Sequence, residues 1–168
     1  GIIGIGGYGA RHLESVRVCE AEGRCVLAAV VIREQEREAQ RESERVLRAA
    51  GVTIYRSYAE MLEREKGRLD LVTVPAGIDQ HAPQSMAALA AGFNVICEKP
   101  AAGNLGEARR MIKARDEAGR FLAVGFQYLS APSIQKIKRL TLERRLGPLV
   151  RRELHRQLVR WYRFLQPD

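Results

Sequence analysis

Four glycines close to the start of the chain have the spacing of a turn that binds phosphate groups. The first nine residues read GIIGIGGYG, in which Gly4, Gly6 and Gly9 fit the pattern G-x-G-x-x-G and Gly7 is an extra glycine inside it. Gly4 would allow a tight turn, Gly6 would leave bare backbone against a pyrophosphate, and Gly9 would let a helix pack close to the preceding strand. The alternatives are an ordinary turn between a strand and a helix, or the loop of a different nucleotide-binding enzyme.

Lys99 is the residue best suited to act on a substrate hydroxyl. It stands between Glu98 and Pro100, directly after an apolar stretch that we predict to be a strand. Oxidation of an alcohol requires a group that accepts or orients the hydroxyl proton while a hydride leaves the carbon, and a lysine at a strand end can do this. The alternative is a structural role, in which Lys99 pairs with Glu98 or with a ribose hydroxyl.

Six apolar stretches alternate with five helical stretches, and this order predicts a parallel sheet. The predicted strands are residues 2–5, 25–32, 52–55, 69–74, 93–97 and 121–124, and the predicted helices are residues 11–22, 34–50, 57–62, 81–91 and 104–118. Right-handed crossovers leave few possible topologies. We therefore predict an α/β fold of the Rossmann type, a doubly wound parallel sheet with strand order 3-2-1-4-5-6.

In such a fold, ligands bind at the carboxyl ends of the strands, near the switch between strands 1 and 4. The loops after strands 1, 4 and 5 are residues 4–9, 75–81 and 98–100. They would meet on one edge of the sheet, with the N–H groups at the start of the first helix facing the phosphates. The sequence thus predicts a dinucleotide site that has Lys99 on the same edge.

The end of the second predicted strand bears on the choice between NAD and NADP. An acidic residue there binds the ribose hydroxyls and favours NAD, whereas an arginine suits the additional phosphate of NADP. Here the position is apolar, Val31 or Ile32, and Arg33 and Glu34 follow. Arg33 therefore favours NADP, unless it is only a solvated residue at the start of a charged helix.

Composition favours a globular protein of the cytoplasm. The 168 residues are 46% hydrophobic and 29% charged, which is typical of a soluble domain. No apolar stretch approaches the length of a membrane span, so we expect no membrane contact. The three cysteines, Cys19, Cys25 and Cys97, lack the spacing of metal ligands, and we expect a reducing compartment and no metal site.

The positive charge is concentrated at the carboxyl end of the sequence. The net charge is +8, and residues 136–168 contribute +7 of it, from 10 Lys or Arg against 3 Asp or Glu. A basic segment can bind nucleic acid, but no nucleic-acid motif accompanies this one, so we expect no such partner. The alternative is an interaction protein whose basic, aromatic segment binds an acidic partner.

The pattern of the sequence changes after Phe126. We predict that residues 1–126 form the dinucleotide-binding domain and that residues 127–168 begin a second, incomplete domain. Residues 132–146 have a helical pattern that starts at Pro132, and residues 149–159 could form a strand. Trp161, Tyr162 and Phe164 then follow, and aromatic side chains at such a place need a covering surface.

These motifs together resemble the Gfo/Idh/MocA family of oxidoreductases. The similarity rests on the glycine turn, on Pro75 to His81 (PAGIDQH), on Glu98-Lys99-Pro100, and on Gly125-Phe126-Gln127. The stretch AALAAGFNVICEKP, which ends at Pro100, is close to the usual sequence of the family at this point. The similarity extends over about residues 1–154.

The resemblance implies a Rossmann domain that binds NAD or NADP, followed by an α/β domain that covers the substrate and forms a homo-oligomer. It also implies reversible hydride transfer at a hydroxyl carbon of a sugar or cyclitol. By matched position, it implies the following contacts: Gly4, Gly6, Gly7 and Gly9 with the pyrophosphate, Pro75 and His81 along the nicotinamide-side loop, Glu98 and Lys99 beside the nicotinamide ribose, and Gln127 from the crossover. Lys99 would reach the substrate hydroxyl, and Pro100 would fix its loop, commonly through a cis peptide bond.

The chain departs from the family pattern in two respects. The acidic residue that binds the ribose is missing, and so is most of the second domain, which normally supplies further catalytic residues. A non-catalytic relative that senses nucleotides or acts as a scaffold is therefore the alternative, since the family includes a transcriptional co-repressor. His12 is expected to pack within the first helix, and His155 receives no role.

Overall fold

The computed structural model describes residues 1–147. The possible strand over residues 149–159, His155 and the aromatic group at Trp161 to Phe164 lie outside the described residues. The chain divides into two compact units, Gly1–Gly125 and a second unit that starts at Phe126.

Six parallel strands form one sheet in the order β3-β2-β1-β4-β5-β6, as predicted. The strands are β1 Ile2–Ile3, β2 Ala29–Val31, β3 Thr53–Tyr55, β4 Leu71–Val74, β5 Asn94–Cys97 and β6 Leu122–Val124. The register pairs Ile2 with Val30 on one side and with Thr73 on the other, so β1 lies at the centre of the sheet.

Five helices cover the two faces of this sheet: α1 Gly9–Ala21, α2 Arg41–Ala49, α3 Tyr58–Arg64, α4 Ile78–Ala90 and α5 Leu105–Ala118. Ile2, Val30 and Ile32 pack with Leu47 of α2 on one face. Ile3, Val31 and Val72 point to the other face, where they pack with side chains of α3, α4 and α5. Neighbouring residues of a strand thus enter different cores, which is why these strands are apolar throughout.

Local signals set the ends of several helices. The Ser57 hydroxyl accepts a hydrogen bond from the Glu60 amide at 3.1 Å, and the Asn104 side chain accepts one from the Glu107 amide at 2.9 Å. Both are N-caps that the sequence indicates, and each satisfies an N–H group that has no partner within its helix. Gly119 ends α5 in the left-handed conformation, with φ of 60°.

The prediction of one helix over residues 34–50 is wrong. Residues Glu34–Glu36 form a single 3₁₀ turn, and α2 starts only at Arg41. The apolar stripe of this segment is too thin to bury a long helix, because Leu47 is buried while its neighbour Val46 is 48% exposed. The second strand is likewise shorter than predicted, since Val26 is 82% exposed and lies before the buried stretch.

The second unit contains a 3₁₀ turn, Gln127–Ser130, and helix α6, Pro132–Leu142. Pro132 occupies the first turn of α6, where its missing N–H group costs nothing. The helix ends four residues before the predicted end. Among the helices of residues 1–147, none has both the length and the apolar composition needed to cross a membrane.

Candidate dinucleotide site

The glycine turn has the backbone conformation that its residues suggested. Gly4 has φ of 93° and Gly7 has φ of 52°, a region that favours glycine. A Cβ atom on Gly9 would lie 2.3 Å from the Gly4 carbonyl oxygen, so the close approach of α1 to β1 requires glycine there. A Cβ atom on Gly6 would meet only the Gln40 Nε2 atom, at 3.6 Å, so the space beside Gly6 is open.

A cleft of about 590 Å³ opens at the carboxyl ends of β1, β2 and β4. Among the predicted site residues, five line it: Gly4, Gly6, Gly7, Arg33 and Pro75. The first turn of α1 contains no acidic residue, so no side chain there repels a phosphate. Bare backbone, a helix N-terminus and an open cleft therefore meet where a pyrophosphate would lie.

A paired Arg33 and Glu36 form the far wall of the cleft. The Arg33 guanidinium lies 2.5 Å from Glu36 Oε1, and the Arg33 backbone N–H donates to Glu36 Oε2 at 3.3 Å. This guanidinium lowers the pKa of the Glu36 carboxyl group. The sequence prediction named Arg33 but missed Glu36, although a spacing of three residues at the start of a turn could have indicated the pair.

Arg56, directly after β3, holds the residue that follows β2. It donates to the Ile32 carbonyl oxygen at 3.2 Å and to both carboxylate oxygens of Glu44, at 3.0 and 2.7 Å. This bidentate contact is the main cause that lowers the pKa of Glu44. Glu44 is buried, so the charged stretch that contains it is not simply a solvated face.

Glu98 connects the first helix to the loop after β5. Its carboxylate is buried, accepts a hydrogen bond from the Lys99 backbone N–H at 3.0 Å, and lies 3.1 Å from His12 Nε2. A Cβ atom on Gly125 would lie 2.5 Å from Glu98 Oε1, so this residue must be glycine for the carboxylate to fit. His12 was expected to pack, but it is a partner of Glu98.

The Lys99 side chain turns toward the glycine turn. Its Nζ atom lies over the ring of Tyr8, 5.3 Å from the ring centroid, and the Tyr8 ring meets His12 edge to face. Within the described part of the chain, the Glu98 carboxylate pairs with His12 and not with the Lys99 ammonium. The Lys99 ammonium group, which we predicted to act on a substrate hydroxyl, therefore lies beside the glycine turn that we predicted to bind phosphate.

His81 connects two loops instead of lining the cleft. The ring is 1% exposed, with Nε2 2.9 Å from the Ala76 carbonyl oxygen and Nδ1 2.6 Å from the Pro100 carbonyl oxygen. A neutral ring can donate to one of these carbonyls and a protonated ring to both. The Lys99–Pro100 peptide bond is cis, as the resemblance implies.

Gln127 lies in the second unit, in the 3₁₀ turn Gln127–Ser130, and its approach to the cofactor stays a prediction. Among residues 1–147, no group of three or more His, Cys, Asp or Glu side chains is placed to hold a metal ion.

Comparison with known proteins gives one consistent family. Residues 1–126 match the GFO_IDH_MocA model, which is described as an oxidoreductase family with an NAD-binding Rossmann fold. A D-apiose dehydrogenase of Paraburkholderia graminis is 32% identical over 87% of this chain and 36% of its own length. An inositol 2-dehydrogenase of Rubrobacter xylanophilus is 29% identical over 93% of this chain and 43% of its own length.

A solved structure has the same fold and contains a nicotinamide cofactor. The WlbA dehydrogenase of Bordetella pertussis, in complex with NADH and UDP-GlcNAcA, superposes with a TM-score of 0.73 at 26% identity, over 87% of this chain and 42% of that one. This chain therefore spans about two fifths of the length of each of these three proteins.

Proposed function

The chain belongs to the Gfo/Idh/MocA family of oxidoreductases, and from this premise we propose that it supplies the cofactor half of a sugar or cyclitol dehydrogenase. The reaction would be hydride transfer between a nicotinamide and a hydroxyl carbon of a small sugar-like substrate. The contact between Lys99 and Tyr8 carries the proposal, because it brings a cation beside a glycine turn that is open to ligand.

Different residues along one edge of the sheet would bind the cofactor and act on the substrate. Gly4, Gly6 and Gly7 would hold the pyrophosphate, and Pro75 would border the nicotinamide-side loop. The nicotinamide, when bound, supplies the carbon that accepts or gives the hydride. Lys99 would orient the substrate hydroxyl and take or return its proton.

Two further contacts would keep Lys99 in place. Glu98 accepts a hydrogen bond from the Lys99 backbone and is itself held by His12, so the loop cannot rotate freely. His81 lies under the following residue, where it contacts the Pro100 carbonyl oxygen. A buried network of this kind fixes the geometry that proton transfer needs.

The Arg33–Glu36 pair favours NAD over NADP. Arg33 alone would suit the additional phosphate of NADP, but its guanidinium already binds the Glu36 carboxylate. A phosphate group, with a charge of about −2, would have to separate this pair and would then face the carboxylate. The ribose hydroxyls of NAD could instead donate to Glu36, in the role that an acidic residue at the end of β2 usually has.

Relatives with named substrates support the substrate class. Among the matched proteins are a D-apiose dehydrogenase and an inositol 2-dehydrogenase, which suggest a polyhydroxylated compound here as well. A homo-oligomer formed through the second domain and a cytoplasmic location are further parts of the proposal.

Calorimetry with NAD on this chain and two matched variants tests the proposed site. In Gly6→Ala the new methyl group would point into open space, so the fold should remain while NAD affinity falls by about tenfold or more. Gly103→Ala is the matched control. A Cβ atom on Gly103 would lie 3.4 Å from Glu107 Oε2, an ordinary van der Waals distance, so this variant should bind NAD like the parent chain. Equal affinities of both variants, or no heat with NAD or NADP at millimolar concentration, would overturn the proposal.

A further inference from the structure

Two of the three cysteines lie near each other, at the end of the sheet that lies away from the cleft. Cys19 is in the last turns of α1, whose first turn faces the cleft, and Cys25 precedes β2, whose carboxyl end lines the cleft. Both thiols are therefore near the amino ends of the strands. Cys25 is exposed and Cys19 is partly exposed, whereas Cys97 is buried in β5.

The turn between them holds the two cysteines close to each other. The Arg24 backbone N–H donates to the Cys19 carbonyl oxygen at 2.9 Å, and the Cys25 thiol donates to the Val16 carbonyl oxygen at 3.8 Å. Since Val16 lies one helical turn before Cys19, this contact brings the Cys25 sulfur onto the same face of α1. The Cys19 thiol is also close enough to contribute to the raised pKa of the Cys25 thiol.

A carboxylate fixes the position of the turn as well. Glu20 accepts a hydrogen bond from the Leu27 backbone N–H at 2.6 Å, which holds the segment after Cys25 against α1. The Glu20 side chain also binds Arg17, at 2.7 Å. Backbone and side-chain contacts on both sides of the turn thus fix the positions of the two cysteines.

We propose that Cys19 and Cys25 are a thiol modification site, in which exchange with a small disulfide such as oxidised glutathione joins the two cysteines in a reversible disulfide. In the first step the Cys25 thiolate attacks one sulfur of the small disulfide, whose other half leaves as a thiolate. The Cys19 thiolate then attacks the Cys25 sulfur, and the second small thiolate leaves. Two protein thiols are oxidised, one disulfide is reduced to two thiols, and both protons pass to the released thiolates.

The surroundings make Cys25 a slow nucleophile at neutral pH. Partial desolvation and the neighbouring Cys19 and Glu20 raise the pKa of the Cys25 thiol, while Arg24 opposes this effect. Because the thiolate is the attacking species, the exchange should be followed at about pH 8.5. Because little of this thiol is present as thiolate at neutral pH, it reacts slowly with dilute oxidants and requires the small disulfide in excess.

Mass spectrometry of the chain treated with oxidised glutathione tests the proposal. The parent chain should lose about 2 Da and give a peptide that links Cys19 to Cys25, without lasting glutathione. Cys19→Ser should instead keep one glutathione on Cys25, because no second thiol can displace it. Cys25→Ser should react most slowly, and buried Cys97 should stay unmodified in all three samples, so the exchange is read on the folded chain.

A stable glutathione adduct on Cys25 of the parent chain, equal to that of Cys19→Ser, would overturn the proposal. A disulfide that joins two chains through Cys25 would overturn it equally, since the thiols would then prefer a partner outside the chain.

Discussion

His12 and Glu98 are 86 positions apart in the sequence, yet His12 Nε2 lies 3.1 Å from Glu98 Oε1. The contact joins the first helix, which begins at the phosphate turn, to the loop that carries Lys99. Both side chains are largely shielded from water, so the contact is stronger than an exposed pair would be. The two ends of the proposed cofactor site are therefore connected through one carboxylate.

Gly125→Ala should destabilise the chain by displacing this carboxylate. The new methyl group would lie 2.5 Å from Glu98 Oε1, and we expect a loss of about 1–3 kcal/mol in the free energy of unfolding. Urea unfolding measures the loss.

The double variant Gly125→Ala with Glu98→Ala separates this clash from a general effect of alanine. On the Glu98→Ala background the carboxylate is gone, so Gly125→Ala should lower the free energy of unfolding much less than it does in the parent chain. The coupling energy between the two substitutions should be about 1 kcal/mol or more. Strictly additive losses would contradict the assigned contact.

Lys99→Ala should slow hydride transfer in the full-length protein about 100-fold or more, since the group that handles the hydroxyl proton is removed. The dissociation constant of NAD should change by no more than about threefold, because the pyrophosphate contacts remain. Stopped-flow absorbance of the reduced nicotinamide measures the first quantity and calorimetry the second.

Lys99→Arg is the matched variant, since it keeps the charge over Tyr8 but not the proton chemistry. It should be nearly as slow as Lys99→Ala. A fast arginine variant would assign Lys99 an electrostatic role only.

Glu36→Gln should move the cofactor preference toward NADP. The substitution removes the carboxylate and frees Arg33 for a phosphate, so the ratio of NADP to NAD affinity should rise about tenfold or more. Calorimetry with both nucleotides gives the ratio. Glu42→Gln removes the same charge from an exposed pair on α2 and should leave it unchanged.

An equal ratio in Glu36→Gln and the parent chain would show that the wall of the cleft does not discriminate. The site itself would still stand if both nucleotides bound, because Gly6→Ala tests it independently.

Glu44→Gln should destabilise the chain at neutral pH but not in acid. Arg56 lowers the pKa of folded Glu44, so its contribution is fully present above the unfolded value of about 4.3 and is lost as pH falls through the folded value. The difference from the parent chain, about 1–2 kcal/mol near pH 7, should therefore disappear in acid. Thermal unfolding across this range measures it, and Glu38→Gln, on an exposed side chain, should show no such trend.

Local and periodic features of this protein were predictable from its sequence. The glycine turn, the N-caps at Ser57 and Asn104, and the strand order follow from residue type, spacing and alternation, since each depends on neighbours along the chain. The motif at Glu98 and Lys99 was recognisable for the same reason.

Contacts between distant segments were not predictable in this way. Nothing near His12 indicates that Glu98 accepts its hydrogen bond, and Glu44 stands among charged residues that suggest a solvated helix. The break between Glu34–Glu36 and α2 depends on Glu36 folding back onto Arg33, which a helical pattern of charges conceals.

The ring of His81 contacts the carbonyl oxygens of two separate loops, at Ala76 and at Pro100. Neither loop can open without losing its contact with the same buried ring, so the two should open together. Their amide hydrogens would then exchange with deuterium as one cooperative unit, although more than twenty residues of chain separate the loops.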